Sequence, residues 1–574
     1  MDLSGAYDSI CRDLLFEKLK SLVGLSDHTL RTLRHLYHDT QCIIKCNGSL
    51  STPFTVGCGV RQGCPLSVTL FNLFIADLDA HLKSKCTPGT GVQVVREHET
   101  RTKPPTQWHK SDRKRPASQP NTSSMLFVND LGYADDISLA GSTPEELQEL
   151  LDAFAAYCVA NALIINPSKC NIVVFSGGGA WPGKEWTVDG HVVARVHEFK
   201  HLGIVLNQRS NWSDTADHRL SRMTAAQSAV FRRLKELRIS CDPSIIADLF
   251  DIIPAAAGNF GCEIWSTPLL GTWDSITKCK LQQYQASVYK RALGVPGSAS
   301  NLLALVEMGR YPMQVHWLVR CVKYWNKRVA EVDQENRRLD SNDHPTTREH
   351  SLMAQVFITN VHYGLEKDVP CWSRELCAGL TLVQPDIDWR AHMLQLKPIE
   401  HKLVAQLACH AFCNHLQCYT TPVDADVNSS RQRCKYAQWM RLGGAQAEHS
   451  ELLRPAYLTA LTPKTKKRAL SRLRLSHAPV RATREHTSQD SLYSSRICTR
   501  CDKGVVDDEQ HWLFDCDALG GIRQNHASTI ERYPSLPELM AAVYDRSPAM
   551  AVLEYVFEAT KFVSGHRQGS RAVE

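Results

Sequence analysis

The sequence predicts an α+β chain of several domains, with short strands and packed helices in the first two hundred residues and helices dominating the rest. Three observations carry that prediction. Alternating apolar segments broken by turn residues recur up to about residue 208. From Asp214 onward apolar residues repeat at helical spacing, as far as about residue 460. A chain of 574 residues also exceeds what one core can serve, so two to four domains are expected.

Composition narrows the class. Hydrophobic and charged fractions of 43% and 22% are those of an ordinary globular protein and argue against wholesale disorder. The net charge of +6 permits a nucleic-acid partner without demanding one. The 21 cysteines are scattered, and no basic stretch followed by an apolar core opens the chain. Reduced thiols are therefore expected, in an intracellular protein of the nucleus and/or cytoplasm. No apolar run approaches the roughly 18 residues of a membrane span, so no membrane partner is expected.

Taken in order, Asp8 or Ser9 can cap a helix whose apolar face is Ile10, Leu14, Leu15, Leu19 and Leu22 or Val23. Gln41 to Val56 alternates like strands and is broken by the Asn47-Gly48 turn signal. The glycine-rich turn Gly57 to Ser67 opens an apolar helix facing inward through Leu70, Phe71, Phe74, Ile75, Leu78 and Leu82. Residues 87–124 lack apolar periodicity and are rich in Pro, Ser, Thr and basic residues, as in a flexible surface insertion.

Two short apolar arms, Leu126 to Leu131 and Ile137 to Leu139, then flank Asp135-Asp136. They predict a β-hairpin with the acids at its tip. Adjacent carboxylates repel unless a cation neutralises them, although a bare pair is also what a solvated turn shows. Thr143-Pro144-Glu145-Glu146 starts a helix that buries Leu147, Leu150, Leu151, Phe154 and Tyr157. Strands follow at Ile172 to Phe175, Val192 to Val196 and Leu202 to Leu206. The helix from Asp214 to Ile239 carries a stripe of Leu220, Met223, Val230, Leu234 and Leu237.

Near the C-terminus, Lys464 to Arg484 holds Lys464, Lys466, Lys467, Arg468, Arg472, Arg474, Arg481 and Arg484 without one acid. The expected role is phosphate binding, with a localisation signal or a solvated helix as alternatives. Cys498-x2-Cys501-x9-His511-x4-Cys516 follows. Zinc takes four thiolate or imidazole ligands in a tetrahedron, and a Cys-x-x-Cys turn supplies two of them. Trp512 and Phe514 are placed to pack under the metal or to stack on bases. Cys409, His410, Cys413, His415 and Cys418 also have inviting spacing, but Ala405 to Leu416 reads as a helix that would bury Cys409 and Cys413 on one face.

Separate pieces fit one chemistry. Template-directed polymerisation needs carboxylates from distinct strands to hold two divalent metals at a nucleotide triphosphate and a primer hydroxyl. Asp2 and Asp135 meet that need. Met1-Asp2-Leu3-Ser4-Gly5-Ala6-Tyr7-Asp8, Arg61-Gln62-Gly63-Cys64-Pro65-Leu66-Ser67, Tyr133-Ala134-Asp135-Asp136, Asn166-x-x-Lys169 and Phe199-Lys200-His201-Leu202-Gly203 resemble, in order, the palm motifs of a reverse transcriptase of the non-LTR (LINE-type) retrotransposon class. Gly261 to Trp265 and Arg291 to Pro296 resemble its thumb region, and the Cys-Cys-His-Cys element resembles its C-terminal one.

The resemblance implies a palm of antiparallel sheet and packed helices at 1–208, containing the insertion 87–124. It implies a helical thumb at 209–300, a helical connecting region at 301–460, the basic segment with its zinc element at 461–530, and a tail at 531–574. By the same resemblance Asp2, Asp135 and Asp136 are catalytic and hold two Mg²⁺, while Cys498, Cys501, His511 and Cys516 hold Zn²⁺. Tyr7 stands under the incoming sugar, Arg61, Gln62 and Gly63 lie beside template and nucleotide, and Lys169 approaches the triphosphate. Arg222, Arg232, Arg233 and Lys235 of the thumb face backbone phosphates. The implied partners are an RNA template, a DNA primer and deoxynucleoside triphosphates.

Asp2 is the second residue, so the fingers and endonuclease of the class are absent from the sequence, and truncation that impairs polymerisation is expected. The competing expectation is a non-catalytic nucleic-acid-binding relic. A group II intron or telomerase-like enzyme would share the palm but leaves the C-terminal element unexplained.

Overall fold

The computed structural model describes residues 1–94, 126–175, 181–239, 241–273, 275–340, 351–417, 436, 452–480 and 496–570. They form two compact units, Met1–Asn211 with Ser351–Thr359, and Trp212–His350 with Asn360–Glu574. The rest of the expected insertion, residues 95–124, lies outside the described residues, as do Cys418, Arg481 and Arg484.

The first unit mixes strands with the helices Arg12–Ser21, Asp27–Tyr37, Pro65–Phe74, Leu78–Lys85 and Pro144–Ala160. Its first helix starts later than the Asp8/Ser9 cap expected of it. The N–H groups of both residues donate to the Gly5 carbonyl at 2.8 Å, closing a separate turn before the helix begins. Leu22 and Val23 then fall beyond the helix end and are exposed. Ile10, Leu15, Phe16 and Leu19 join Leu70, Phe71, Phe74, Leu78, Leu82, Leu150, Phe154 and Tyr157 in one buried cluster. Below it, Lys18 and Tyr157 both hydrogen-bond Asp77, at 2.7 and 2.6 Å.

The expected continuous antiparallel sheet is not formed. Among the described residues the strands pair only as two-stranded ladders, because turns leave just two to four residues in register. One pair, Asn171–Ile172 with Ala194–Arg195, is parallel. Asn47 and Gly48, at φ +48° and +85°, make the expected turn between Lys45–Cys46 and Ser49–Leu50. The opening of the supposed insertion is built into the unit instead. Val92–Val94 pairs with Leu126–Val128, and the Glu149 carboxylate accepts from the Thr87 N–H and hydroxyl at 2.7 and 2.8 Å. Thr143 caps the Pro144–Ala160 helix by accepting from the Glu146 N–H.

The second unit is mainly helical, including Ser213–Glu236, Pro243–Ile252, Lys280–Leu293, Met313–Asp340, Trp372–Val383, His401–Gln417, Lys464–Arg474 and Arg546–Ser570. Ser213–Glu236 buries Thr215, Arg219, Met223 and Gln227, a face rotated from the expected leucine stripe, so that Leu237 is exposed. Gly258 permits that approach: a Cβ there would stand 2.1 Å from the Met223 methyl.

At the centre of this unit Glu307 and Arg474 are both fully buried and joined at 2.8 and 3.0 Å. Tyr436 and Tyr457 donate to the same carboxylate, and Arg474 also donates to the Met540 carbonyl at 2.7 Å and the Tyr544 hydroxyl at 3.0 Å. All three nitrogens of the planar guanidinium thus have an acceptor, which is what makes burial of the charge tolerable. Among the described residues no helix is long and apolar enough to cross a membrane.

Candidate active site and metal centre

In the first unit the hairpin forms with its acids at the tip. Asp130–Tyr133 pairs with Asp136–Leu139, Tyr133 opposite Asp136, so only Ala134 and Asp135 make the turn. Ala134 sits at φ +55°, a left-handed backbone that a non-glycine residue adopts at a cost of about 1 kcal/mol or more. Asp135 and Asp136 are both exposed.

Asp2 reaches this tip by main-chain pairing. Leu3 bridges antiparallel to Ile165, the Ser4 N–H donates to the Ile164 carbonyl at 2.8 Å, and the Asn166 N–H donates to the Asp2 carbonyl at 2.9 Å. The Met1 nitrogen donates to the Ile137 carbonyl of the hairpin. Burial lowers the Met1 ammonium, against the opposing pull of Cys170, Asp136 and Asp2 around it. The main chain thus brings the segment that bears Asp2 beside the hairpin that bears Asp135 and Asp136. Their oxygens are not among the close-set donor groups of the described residues. Hard oxygen donors on short strands fit a divalent ion such as magnesium.

Tyr7 stacks on Phe71 with ring centroids 5.0 Å apart. Burial first, then the Asp135 carboxylate and Tyr133, push its hydroxyl above the usual range, which places Tyr7 in the field of the hairpin tip. Arg61 and Gln62 are exposed, Arg61 donating to the Leu36 carbonyl at 3.0 Å and Gln62 to the Asp8 carboxylate at 2.9 Å. Gly63 takes φ +77° with open space where a side chain would be. Lys169 lies in the turn closed by its N–H to the Asn166 carbonyl, and its exposed ammonium has no ion-pair partner among the described residues. Phe199 to Gly203 forms a hairpin, Glu198–His201 with Ile204–Asn207, turning on Leu202 and Gly203.

Three residues of this site escaped the sequence reading. Cys170, buried, accepts the Asp2 N–H at 3.3 Å on its Sγ. Arg12 donates to the carbonyls of Tyr37, Val56, Cys58 and Gly59 at 2.9–3.2 Å, holding the loop that leads to Arg61. Asp8 takes Gln62. Their signal in the sequence is adjacency to a motif, which alone does not separate a partner from a bystander.

In the second unit the Sγ atoms of Cys498, Cys501 and Cys516 and a ring nitrogen of His511 lie within 4.8 Å of one another. Cys498 and Cys516 Sγ are 3.9 Å apart, and Cys501 Sγ is 3.4 Å from His511 Nε2. Those are close to the edge lengths of a tetrahedron with metal–sulfur bonds of about 2.3 Å and metal–nitrogen bonds of about 2.0 Å. Ile497 bridges to Val506, and the Cys498 N–H donates to the Val505 carbonyl, closing the knuckle turn. The Asp508 carboxylate accepts the His511 N–H at 2.9 Å. Burial raises the Cys498 thiol to about 11, whereas the Lys503 N–H, a donor to Cys501, helps lower that thiol. Trp512 is fully buried, so it packs in the core and does not stack on bases.

The Cys409–His415 stretch forms no comparable group among the described residues. It lies in the helix His401–Gln417, with Cys413 buried. The basic run also differs from expectation. Lys467 is buried against Asp242 at 2.9 Å, Lys466 pairs with Glu554, Arg474 with Glu307, and Arg472 donates to the Gly294 carbonyl at 2.9 Å. Lys467 and Arg474 are thus committed inside the unit, whereas Arg468 and Arg472 remain exposed.

Residues 1–206 match the protein family described as Reverse transcriptase (RNA-dependent DNA polymerase). The chain is 27% identical over 215 residues to the "RNA-directed DNA polymerase from mobile element jockey" of Drosophila funebris, covering 36% of this chain and 19% of that protein. It is 27% identical over 169 residues to the "Transposon TX1 uncharacterized 149 kDa protein" of Xenopus laevis, covering 29% of this chain and 11% of that one. To the "Retrovirus-related Pol polyprotein from type-1 retrotransposable element R2" of Popillia japonica it is 22% identical over 217 residues, with 36% and 30% covered. The matched stretches span less than a third of these relatives.

Proposed function

We propose, taking residues 1–206 as a reverse-transcriptase domain of the non-LTR retrotransposon type, that the chain is an RNA-directed DNA polymerase extending a DNA primer along an RNA template. The observation that carries the proposal is the approach of Asp2 to the hairpin tip through the Met1–Ser4 pairing with Ile164–Asn166 and the Met1 contact on Ile137. The pairing sets the segment bearing Asp2 beside the hairpin bearing Asp135, 133 positions on, which supports a shared site for phosphoryl transfer.

Magnesium held by Asp2, Asp135 and Asp136 would activate the primer hydroxyl and neutralise charge on the leaving pyrophosphate. Tyr7, fixed on Phe71, fills the space under the incoming sugar and excludes a 2′ hydroxyl. Arg61, Gln62 and the open backbone at Gly63 face template and nucleotide. Lys169 supplies an exposed ammonium to the triphosphate and a proton to the departing pyrophosphate. In the second unit we assign zinc to Cys498, Cys501, His511 and Cys516, in a structural role, since four protein ligands leave no open position. The proposed location is intracellular, in the nucleus and/or cytoplasm.

Primer extension on an RNA template tests the proposal, comparing the chain with an Asp135→Ala/Asp136→Ala variant. The expected loss is on the order of 10³-fold or more. Equal incorporation by both overturns it. Incorporation by neither, with salt-dependent RNA binding kept by both, would replace it with a binding-only protein.

A further inference from the structure

The loop Gly57–Gly63 is held from two sides. Its backbone lies flush against residues 7–10: the Val60 N–H donates to the Tyr7 carbonyl and the Gly59 N–H to the Ile10 carbonyl, both at 2.8 Å. Gly59, at φ +80°, has no room for a side chain, since a Cβ would stand 2.6 Å from the Asp8 carbonyl oxygen. On the other side Arg12 takes the Val56, Cys58 and Gly59 carbonyls. The backbone of the loop is therefore secured without any help from the Asp8 side chain. What that side chain secures is Gln62, whose Nε2 donates to Asp8 Oδ2 at 2.9 Å across 54 positions of sequence.

An exposed glutamine is otherwise free to sample its rotamers, and ordering it costs entropy whenever a ligand must do so. A primary amide has two N–H donors and one carbonyl acceptor. With one N–H committed to Asp8, the other N–H and the carbonyl keep a fixed direction, one residue from the open backbone of Gly63 and beside the Tyr7 segment. We infer that Asp8 is a positioning residue that presents the Gln62 amide, already oriented, to the incoming nucleotide. The inference rests on the polymerase reading above and adds to it a residue that touches neither metal nor substrate. A hydrogen bond to a charged acceptor keeps the amide oriented before the nucleotide arrives, so its loss falls on binding and leaves the chemical step alone.

The test is steady-state primer extension with deoxynucleoside triphosphates on the full chain. Asp8→Ala is expected to raise KM for the incoming nucleotide about tenfold with kcat within twofold. Asp8→Asn keeps an acceptor oxygen and is expected to stay within about twofold of wild type in KM. Gln62→Ala breaks the same bond, between two exposed side chains, from its other end, without touching the backbone packed on Gly59. In that background Asp8→Ala is expected to change KM no further, because the two act through one bond. A wild-type KM for Asp8→Ala, or effects of the two substitutions that simply add, overturns the inference while leaving the polymerase reading standing. A fall in kcat with unchanged KM overturns it too. A wild-type chain that incorporates nothing overturns both. Thermal melting of each variant confirms that it is folded.

Discussion

The carboxylate site proposed in the first unit and the cysteine–histidine site proposed in the second would place metal ligands in opposite ways. Cys498, Cys501, His511 and Cys516 come from a short stretch, and the local turns bring all four donor atoms within 4.8 Å. Thiols and imidazole can be neutral, so they tolerate crowding and burial before a metal arrives. Asp2 comes from one segment and Asp135 and Asp136 from another, and carboxylates repel one another, so the backbone brings the segments together without gathering the oxygens into a close group. A soft-ligand site can be built into the fold.

The contrast can be broken at its strongest point first. Cys516→Ser, or chelation of the intact chain, is expected to remove metal and unfold the region around residues 496–519, a local loss on the order of 10 kcal/mol. Metal content and hydrogen exchange would read it. Unchanged exchange after complete chelation would mean the cluster is held by packing alone.

Within the same unit, Arg474→Met strands the Glu307 carboxylate in the core and is expected to cost about 3–5 kcal/mol in denaturant unfolding. A loss below about 1 kcal/mol would show that the interior there is more hydrated than the geometry implies.

The first unit has a half-buried carboxylate at Asp77, and a smaller effect is expected from it. Burial pushes this carboxyl up, but the hydrogen bonds and charge of Lys18 and Tyr157 outweigh that and hold it below its usual range. A lowered carboxyl adds stability above the ordinary carboxylate range, which is lost as pH falls through the lowered value. Wild type should therefore exceed Asp77→Asn by about 1 kcal/mol at neutral pH, screening allowed for, with the gap closing below about pH 4. A gap independent of pH would mean the amide replaces the carboxylate only sterically.

Least of all, Asp135→Ala/Asp136→Ala should change unfolding free energy by less than about 0.5 kcal/mol, and in the stabilising direction, because it removes like charges from a hairpin tip. Marked destabilisation would show that these acids hold the fold as well as the chemistry.

What was legible in advance follows from how local each feature is. The hairpin with Asp135 at its turn, the Thr143 cap and the grouping of Cys498, Cys501, His511 and Cys516 depend on neighbours a few residues away, and spacing reveals them. The palm sheet was over-read, since β patterning says that strands occur but not how many hydrogen-bond to one another. The face of Ser213–Glu236 was misjudged because Arg219 and Gln227 are buried on it while Leu237 is left exposed. The basic run misled in the same manner. A lysine or arginine looks alike in sequence whether it meets phosphate or, like Lys467 and Arg474, an acid more than 150 positions away. Asp8, Arg12 and Cys170 were invisible as partners because only the folded chain brings Gln62, the Gly57–Gly63 loop and Asp2 to them.

The buried pair Glu307–Arg474 also sets an order of events during synthesis. Its members are 167 positions apart, and ribosomes add about 5–20 residues per second, so Glu307 waits on the order of 10 s for its partner to be made. Until then its carboxylate cannot enter an apolar interior cheaply, and the helices around it must stay loose and hydrated. The second unit therefore closes late, when the Lys464–Arg474 helix has emerged, and nascent chains ending before it should remain bound to chaperones and open to proteases.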